Sequence, residues 1–243
     1  MGPAFTAKLH KLMNEFALCT DKPPGLPLDR GIGDKLHIKL VDGVEPPKSR
    51  IYRMSPAELR DLKEQIDGYL AKGFIRPSGS SFAAYVLFAR KPYGSLRMCI
   101  DYRGLNLLTV KDKYPLPRID DLLDILAGAS VFTLMDMAQG YHQILVAEED
   151  TFKTAFNTRY GQFEWVVMPF GLSNCLAMLQ RTMNIIFKPY LDEFVMVYMD
   201  DVMVFSKSPE EHIKHLTLVQ TVLQALKKYQ FFIRLSKCTF GRT

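Results

Sequence analysis

The sequence predicts an α+β fold, helices packed on one face of an antiparallel sheet, and three observations carry that prediction. Helical and strand-like segments alternate through the second half of the chain without the regular spacing of βαβ units. Two pairs of β-rich runs, Tyr85–Ala89 with Leu96–Ile100 and Phe194–Met199 with Val202–Phe205, lie close enough in sequence to form hairpins. The intervening helical segments each carry an apolar stripe, as helices lying on one face of a sheet do.

Taken in order, residues 5–19 have helical spacing, but Lys22-Pro23-Pro24-Gly25-Leu26-Pro27 and then Pro46-Pro47 break the chain. Residues 1–55 therefore read as an extended arm. A helix begins at Ser55-Pro56, with serine as cap and proline at the first helical position, carries Leu59, Leu62, Ile66, Tyr69 and Leu70 on one face, and stops at Gly73. The hairpin of 85–100 follows, with a basic tip at Arg90-Lys91. A helix near 119–127 carries Ile119, Leu122, Leu123 and Leu126, and a strand over 131–136 ends on Asp136. A helix over about 173–188 precedes the second hairpin. Pro209-Glu210-Glu211 opens another helix, with Ile213, Leu216, Val219, Leu223 and Leu226 on one face and Lys227-Lys228 at its C-terminal end. Phe231-Phe232-Ile233 and Lys237–Gly241 read as strand-like.

Composition bounds the function without naming it. The chain has 243 residues, 48% hydrophobic and 23% charged, which is ordinary for a globular protein able to bury a sizeable core. A net charge of +5 and a pI near 8.9 agree with a polyanionic partner. Cys19, Cys99, Cys175 and Cys238 form no C-x-x-C pair, so neither a zinc site nor a disulfide framework is expected, and a reducing compartment fits best. No run approaches the ~18 apolar residues of a membrane helix, and no charged-then-apolar leader opens the chain. Met1-Gly2-Pro3-Ala4-Phe5-Thr6 fits the loose N-myristoylation pattern, but proline directly after the glycine makes it an awkward substrate.

The chemistry is concentrated at Asp200-Asp201, which read as the two-residue connection of the second hairpin. Such a turn favours Asn-Gly or Asp-Gly, because its central residues need positive φ. Two adjacent carboxylates turn the chain poorly and repel one another unless a cation lies between them. Asp136, at the end of its own strand, joins them if the layer sets it across a strand pair from the hairpin tip, a convergence that spacing alone does not show. Three carboxylates suit Mg²⁺ or Mn²⁺, and two such ions about 3.5–4 Å apart serve phosphoryl or nucleotidyl transfer. Read alone, an acidic surface turn and a capping aspartate explain the same residues.

Tyr198-Met199-Asp200-Asp201 between apolar strands resembles the Y-x-D-D signature of reverse transcriptases, and other segments agree with it in order. These are Asp101-Tyr102-Arg103-Gly104-Leu105-Asn106, Tyr114-Pro115-Leu116-Pro117-Arg118-Ile119, Asp136 with Gly140-Tyr141-His142-Gln143-Ile144, Lys153-Thr154-Ala155-Phe156, and Met168-Pro169-Phe170-Gly171-Leu172-Ser173-Asn174. From about Pro23 to Gly241 the series resembles the polymerase of gypsy-type LTR retrotransposons.

The resemblance implies a right-hand polymerase palm with interleaved fingers, 56–130 mainly fingers and 131–243 mainly palm. Asp136, Asp200 and Asp201 become the catalytic metal-binding triad for two Mg²⁺, with Mn²⁺ as a substitute. Tyr141 lies beneath the incoming sugar and excludes a ribose 2′-OH, and Lys91 and Arg97 grip the triphosphate. Phe170 and Gly171 pack against the nucleotide, and Lys237 protonates the leaving pyrophosphate. Without the resemblance, Tyr141 reads as a core aromatic, Lys91 and Arg97 as a solvated hairpin face, and Lys237 as an ordinary surface lysine. The partners implied are an RNA or DNA template with its primer and dNTPs, in a cytoplasmic retroelement particle.

Two departures from the pattern matter. Cys175-Leu176-Ala177-Met178-Leu179-Gln180 stands where the family commonly has Ala-Pro-Ala-Thr-Phe-Gln, and loss of that proline is expected to loosen the preceding loop. The sequence stops at Gly241-Arg242-Thr243, before the primer grip, thumb and ribonuclease H, so weak or absent processive synthesis is expected. Protease and integrase would complete the polyprotein. The rival readings are a catalytically inactive nucleic-acid-binding remnant and a two-metal nuclease. His212 and His215 have no completing ligand, and Gly31-Ile32-Gly33 lacks a third glycine, so neither is given a role.

Overall fold

Ser55 starts a helix where its sequence places one. Helix α1, Pro56–Ala71, has a complete capping box: the Glu58 N–H donates to Ser55 Oγ at 3.3 Å and the Ser55 N–H donates to Glu58 Oε2 at 2.7 Å. Leu62 and Ile66 are buried, and Gly73 turns the chain at φ 70°. Replacing Ser55 with alanine should cost about 1 kcal/mol, read as a lower urea midpoint with an unchanged slope.

The computed structural model describes residues 25–30, 35–47, 52–90, 94, 96–207 and 211–242. The helix expected over 5–19, the Gly31–Gly33 turn, Lys91 and Pro209-Glu210 lie outside these, as do the side chains of His212 and His215.

The fold is α+β, built on two sheets rather than one. The strands are β1 (Ile75–Pro77), β2 (Ala84–Arg90), β3 (Leu96–Asp101), β4 (Val131–Asp136), β5 (Phe156–Thr158), β6 (Gly161–Trp165), β7 (Val195–Tyr198), β8 (Asp201–Ser206) and β9 (Thr239–Arg242). The first sheet runs β1-β6-β5-β2-β3, and its β2–β5 pair is parallel, with Ala84 opposite Phe156. The second runs β7-β8-β4-β9 and is antiparallel throughout. The remaining helices are α2 (Arg103–Leu108), α3 (Ile119–Ile125), α4 (Cys175–Phe187) and α5 (His212–Lys228).

Side-chain alternation decides what the second sheet offers. Val131, Thr133 and Met135 of β4, Val195 and Val197 of β7, and Val202 and Val204 of β8 are buried. Helix α4 lies against β7 and α5 against β8, with Val219, Leu223 and Leu226 of α5 buried. Because neighbours along a strand point to opposite faces, Asp136, Tyr198 and Asp201 project from the other, half-buried face. Leu36 and Ile38 also enter the core. Nearby, Arg30 donates to the carbonyls of Gln143, Tyr229 and Gln230 and lies 4.1 Å from the Phe231 ring. Burial lowers its pKa to about 10.

Three expectations change. The acidic pair does not make the turn: Tyr198 pairs with Asp201, so the two turn residues are Met199 and Asp200, and Asp201 already belongs to β8. Phe231–Ile233 is no strand: Ile233 makes one isolated bridge to Met137, the Phe232 carbonyl accepts from the Ala138 N–H at 2.9 Å, and the Gln143 side chain takes the Phe232 N–H and shares its carbonyl, so the pairing does not extend into a ladder. Helix α3 has no buried residue: Ile119 and Leu123 are about 60% exposed and Leu122 and Leu126 half-buried, so its apolar stripe is only partly covered among the described residues. No helix among the described residues is long and apolar enough to cross a membrane. Cys99, Cys175 and Cys238 are free thiols.

Candidate active site

The β4–β8 register sets the last residue of one strand opposite the first of the other: Asp136 faces Asp201 directly. Directly opposed side chains have Cβ atoms about 4.5–5.5 Å apart, and like charges there are destabilising. Asp200 adjoins from the turn, and its backbone carbonyl accepts from the Met137 N–H at 3.2 Å, extending the ladder past both strand ends. Burial, then the charges of Asp200 and Asp136, raise the pKa of Asp201, and Lys237 opposes this. The Cys238 thiol is pushed up by burial, with the Asp136 and Asp201 charges adding to the effect.

Hard anionic oxygens crowded onto one half-buried face fit divalent cations, which would offset a repulsion the fold otherwise bears. Among the described residues a tighter set of possible ligands exists at His37, Glu149 and Asp150, with ligand atoms within 4.8 Å of one another. There Asp150 already accepts from the Ile38 N–H at 3.0 Å and pairs with Lys153, so a structural role accounts for it.

The loop after β4 brings a second group to the acids. A Cβ on Gly140 would stand 3.2 Å from the Asp200 Cβ and 3.3 Å from the Met137 Cβ, so glycine is what allows this approach. Tyr141, half-buried, has its phenol pushed up to about 12 by burial and then by the Asp200 charge. Its ring lies 4.5 Å from that of Phe170, which is largely exposed. Gly171 follows at φ 95°, where a Cβ would meet the Ile100 carbonyl oxygen at 3.4 Å.

That loop is tied down from outside. The Asn106 side chain donates to the Gly171 carbonyl at 2.7 Å and accepts from the Ser173 N–H at 2.8 Å. The Asn174 side chain donates to the Val110 carbonyl at 2.9 Å and accepts from the Asp112 N–H at 3.1 Å. None of these bonds involves Leu176 in the first turn of α4.

Of the residues singled out in the sequence, the fold gathers Asp136, Asp200, Asp201, Tyr141 and Phe170, with Gly171 beside Phe170. Lys237 joins them, its Nζ 3.4 Å from Asp136 Oδ2 in an exposed pair of the kind that contributes little to stability. Arg97 is exposed on β3 opposite Ala89, and Lys91 lies outside the described residues. Two buried glutamines went unnoticed. Gln143 bonds through its amide to the Ala138 and Phe232 carbonyls and the Phe232 N–H, bracing the loop that follows Asp136 against the 231–233 segment. Gln180 reaches the acidic turn. The signal that could have found them is a glutamine inside an apolar stretch, since that residue is mostly exposed.

Comparison with known proteins bears on the family and the fold. A family profile described as "Reverse transcriptase (RNA-dependent DNA polymerase)" matches residues 89–243. The chain is 35% identical over 247 residues to the retrovirus-related Pol polyprotein from transposon 297 of Drosophila melanogaster, covering 97% of this chain and 22% of that protein. It is 39% identical over 194 residues to the transposon Tf2-3 polyprotein of Schizosaccharomyces pombe, covering 80% of this chain and 14% of that one. An RNA-directed DNA polymerase homolog of Oenothera berteroana is 54% identical over 129 residues, 52% of this chain and 91% of its own length. Among solved structures, the protease-reverse transcriptase of prototype foamy virus superposes with a TM-score of 0.83 over all of this chain and 32% of its own, at 22% identity. That likeness establishes a shared fold, and the chain spans about a fifth or less of the two polyproteins. The chain belongs to the reverse transcriptase family.

Proposed function

We propose that the chain carries the nucleotidyl-transfer site of a retrotransposon reverse transcriptase, and the observation that supports this most is Asp136 set opposite Asp201 on the half-buried face, with Asp200 at the adjoining turn. The four-stranded sheet with α4 and α5 serves as the palm, and the five-stranded sheet belongs to the fingers. Asp136, Asp200 and Asp201 hold two Mg²⁺, or Mn²⁺ in their place. When bound, these ions lower the pKa of the primer 3′-hydroxyl and offset the charge that develops on the α- and β-phosphate oxygens.

The protein's own part is to align the reactants. The primer 3′-oxygen forms a bond to the dNTP α-phosphorus as the bond to pyrophosphate breaks, and the hydroxyl proton passes to solvent. Tyr141, backed by Phe170, lies beneath the sugar and discriminates against a ribose 2′-OH; the Gly171 backbone permits the close approach. Arg97 and Lys91 steady the triphosphate as a planar fork and a point charge. Lys237, lightly held by Asp136, supplies a proton to the departing pyrophosphate. Template and primer are held through phosphates and shape, in keeping with foamy viral protease-reverse transcriptase structures solved with RNA/DNA hybrid and with double-stranded DNA. The larger polyprotein is the natural setting for this unit.

The test is single-nucleotide incorporation on RNA primed with DNA. The expected result is Mg²⁺-dependent addition of one dNMP that Asp200→Asn removes. Primer binding that Asp200→Asn leaves intact, with no incorporation by either protein, would refute the reading.

A further inference from the structure

Gln180 lies in α4 with its side chain 1% exposed, and a buried primary amide is stable only when its hydrogen bonds are made. Its Oε1 accepts from the Met199 N–H at 2.9 Å. Its Nε2 donates to the Val197 carbonyl at 3.2 Å and to Asn184 Oδ1 at 2.9 Å. The amide therefore bonds the carbonyl of one residue and the N–H of the residue two further along, as the N–H and C=O of a single residue in a neighbouring parallel strand would. Strand β7 is the edge of its sheet, and α4 supplies that peptide-like unit where the next strand would lie. Asn184, which itself donates to the Tyr114 hydroxyl at 2.9 Å, takes one Nε2 hydrogen and so fixes which way round the Gln180 amide sits.

The bond falls on the weak point of the hairpin. Met199 is a non-glycine residue at φ 58°, a left-handed conformation that persists where the surroundings over-determine it. Asp200 follows it directly, and the Asp200 carbonyl is held on the other side by the Met137 N–H. The tip is thus clamped between a helix side chain and the β4 loop. The clamp carries no charge, so it neither competes with cations for the carboxylates nor adds to their repulsion.

We propose that Gln180 is a positioning residue: by fixing Met199 in the left-handed conformation it sets where the Asp200 carboxylate stands relative to Asp136 and Asp201, and thereby the affinity of the triad for divalent cations. This rests on the metal-binding reading of the triad. Its test uses the full chain and Mn²⁺ binding followed by electron paramagnetic resonance, with thermal unfolding in parallel, for wild type, Asp200→Asn, Gln180→Leu, Asn184→Ala and Ser55→Ala.

The expected result is Mn²⁺ binding by wild type, its loss in D200N, and binding at least about tenfold weaker in Q180L, as a displaced ligand set implies. Asn184→Ala, which removes one of the three hydrogen bonds that hold the amide, should weaken binding by about threefold to tenfold in a folded protein, and it decides the matter should Q180L not fold. Ser55→Ala, a destabilised variant with the site intact, should bind as wild type does. Mn²⁺ affinity unchanged in Q180L, or in N184A where that variant is the folded one, would overturn the positioning role while leaving the triad reading in place. Wild type that fails to bind, or D200N that binds equally, would overturn the triad reading and this proposal with it.

Discussion

Asparagine at position 201 should lower nucleotidyl transfer by about a thousandfold, equivalent to roughly 4 kcal/mol of transition-state stabilisation, while the unfolding midpoint stays level or rises. The two effects have one cause. Asp201 stands directly across the ladder from Asp136 and next to Asp200, and burial together with those charges raises its pKa. Asparagine matches its shape, relieves the repulsion and leaves Val202 and Val204 packed as before, but it removes an anionic oxygen from the proposed cation site. A carboxylate kept for structure would behave in the opposite way. The check is incorporation of one nucleotide beside a thermal melt of the metal-free protein; a midpoint several degrees lower would show that Asp201 serves the fold.

Acid should destabilise the protein through His142, by about 2 kcal/mol between about pH 7 and about pH 5. The imidazole is buried among Tyr69, Phe74, Trp165 and Phe170, its ring 5.1 Å from that of Trp165, and Nδ1 has no hydrogen-bond partner among the described residues. Burial, helped by the Lys72 charge, lowers its pKa from 6.5 to about 3. A folded pKa below the unfolded one means that the unfolded chain binds the proton first. The stabilisation is therefore complete above the unfolded value and is lost, at about 1.4 kcal/mol per pH unit, as the pH falls from there toward the folded value. Urea unfolding of wild type and His142→Phe at the two pH values isolates this contribution from that of the carboxylates. Equal pH slopes in the two proteins would show that the ring takes up its proton without unfolding.

Local signals made much of this legible from residues alone. Ser55-Pro56 with Glu58 writes a capping box, alternation over Val131–Asp136 writes a strand that ends on Asp136, and the valines flanking the acids write a hairpin. What stayed hidden depends on partners distant in sequence. Strand β5 has three residues; it makes a local hairpin with β6, but what seats that hairpin in the first sheet is pairing with Ala84 and Tyr85, some seventy residues earlier. The turn falls one residue earlier than its composition suggests because a helix side chain holds Met199. Periodicity in α3 records an apolar stripe but cannot say whether anything covers it. The triad was named by resemblance, whereas the meeting of Asp136 and Asp201 on one face, with Asp200 at the adjoining turn, follows from a register that no single segment encodes.

The order of strands along the chain has a consequence for synthesis on the ribosome. The polypeptide leaves the first sheet after Asp101, builds β4 of the second, and returns only at Phe156 to supply the strand that covers the free side of β2. At translation rates of about 5–20 residues per second, that side waits about 3–11 s for its partner. A nascent chain exposing an unpaired strand edge for seconds invites chaperone capture, and a recombination breakpoint between the two sheets would sever both halves from strands they need to close.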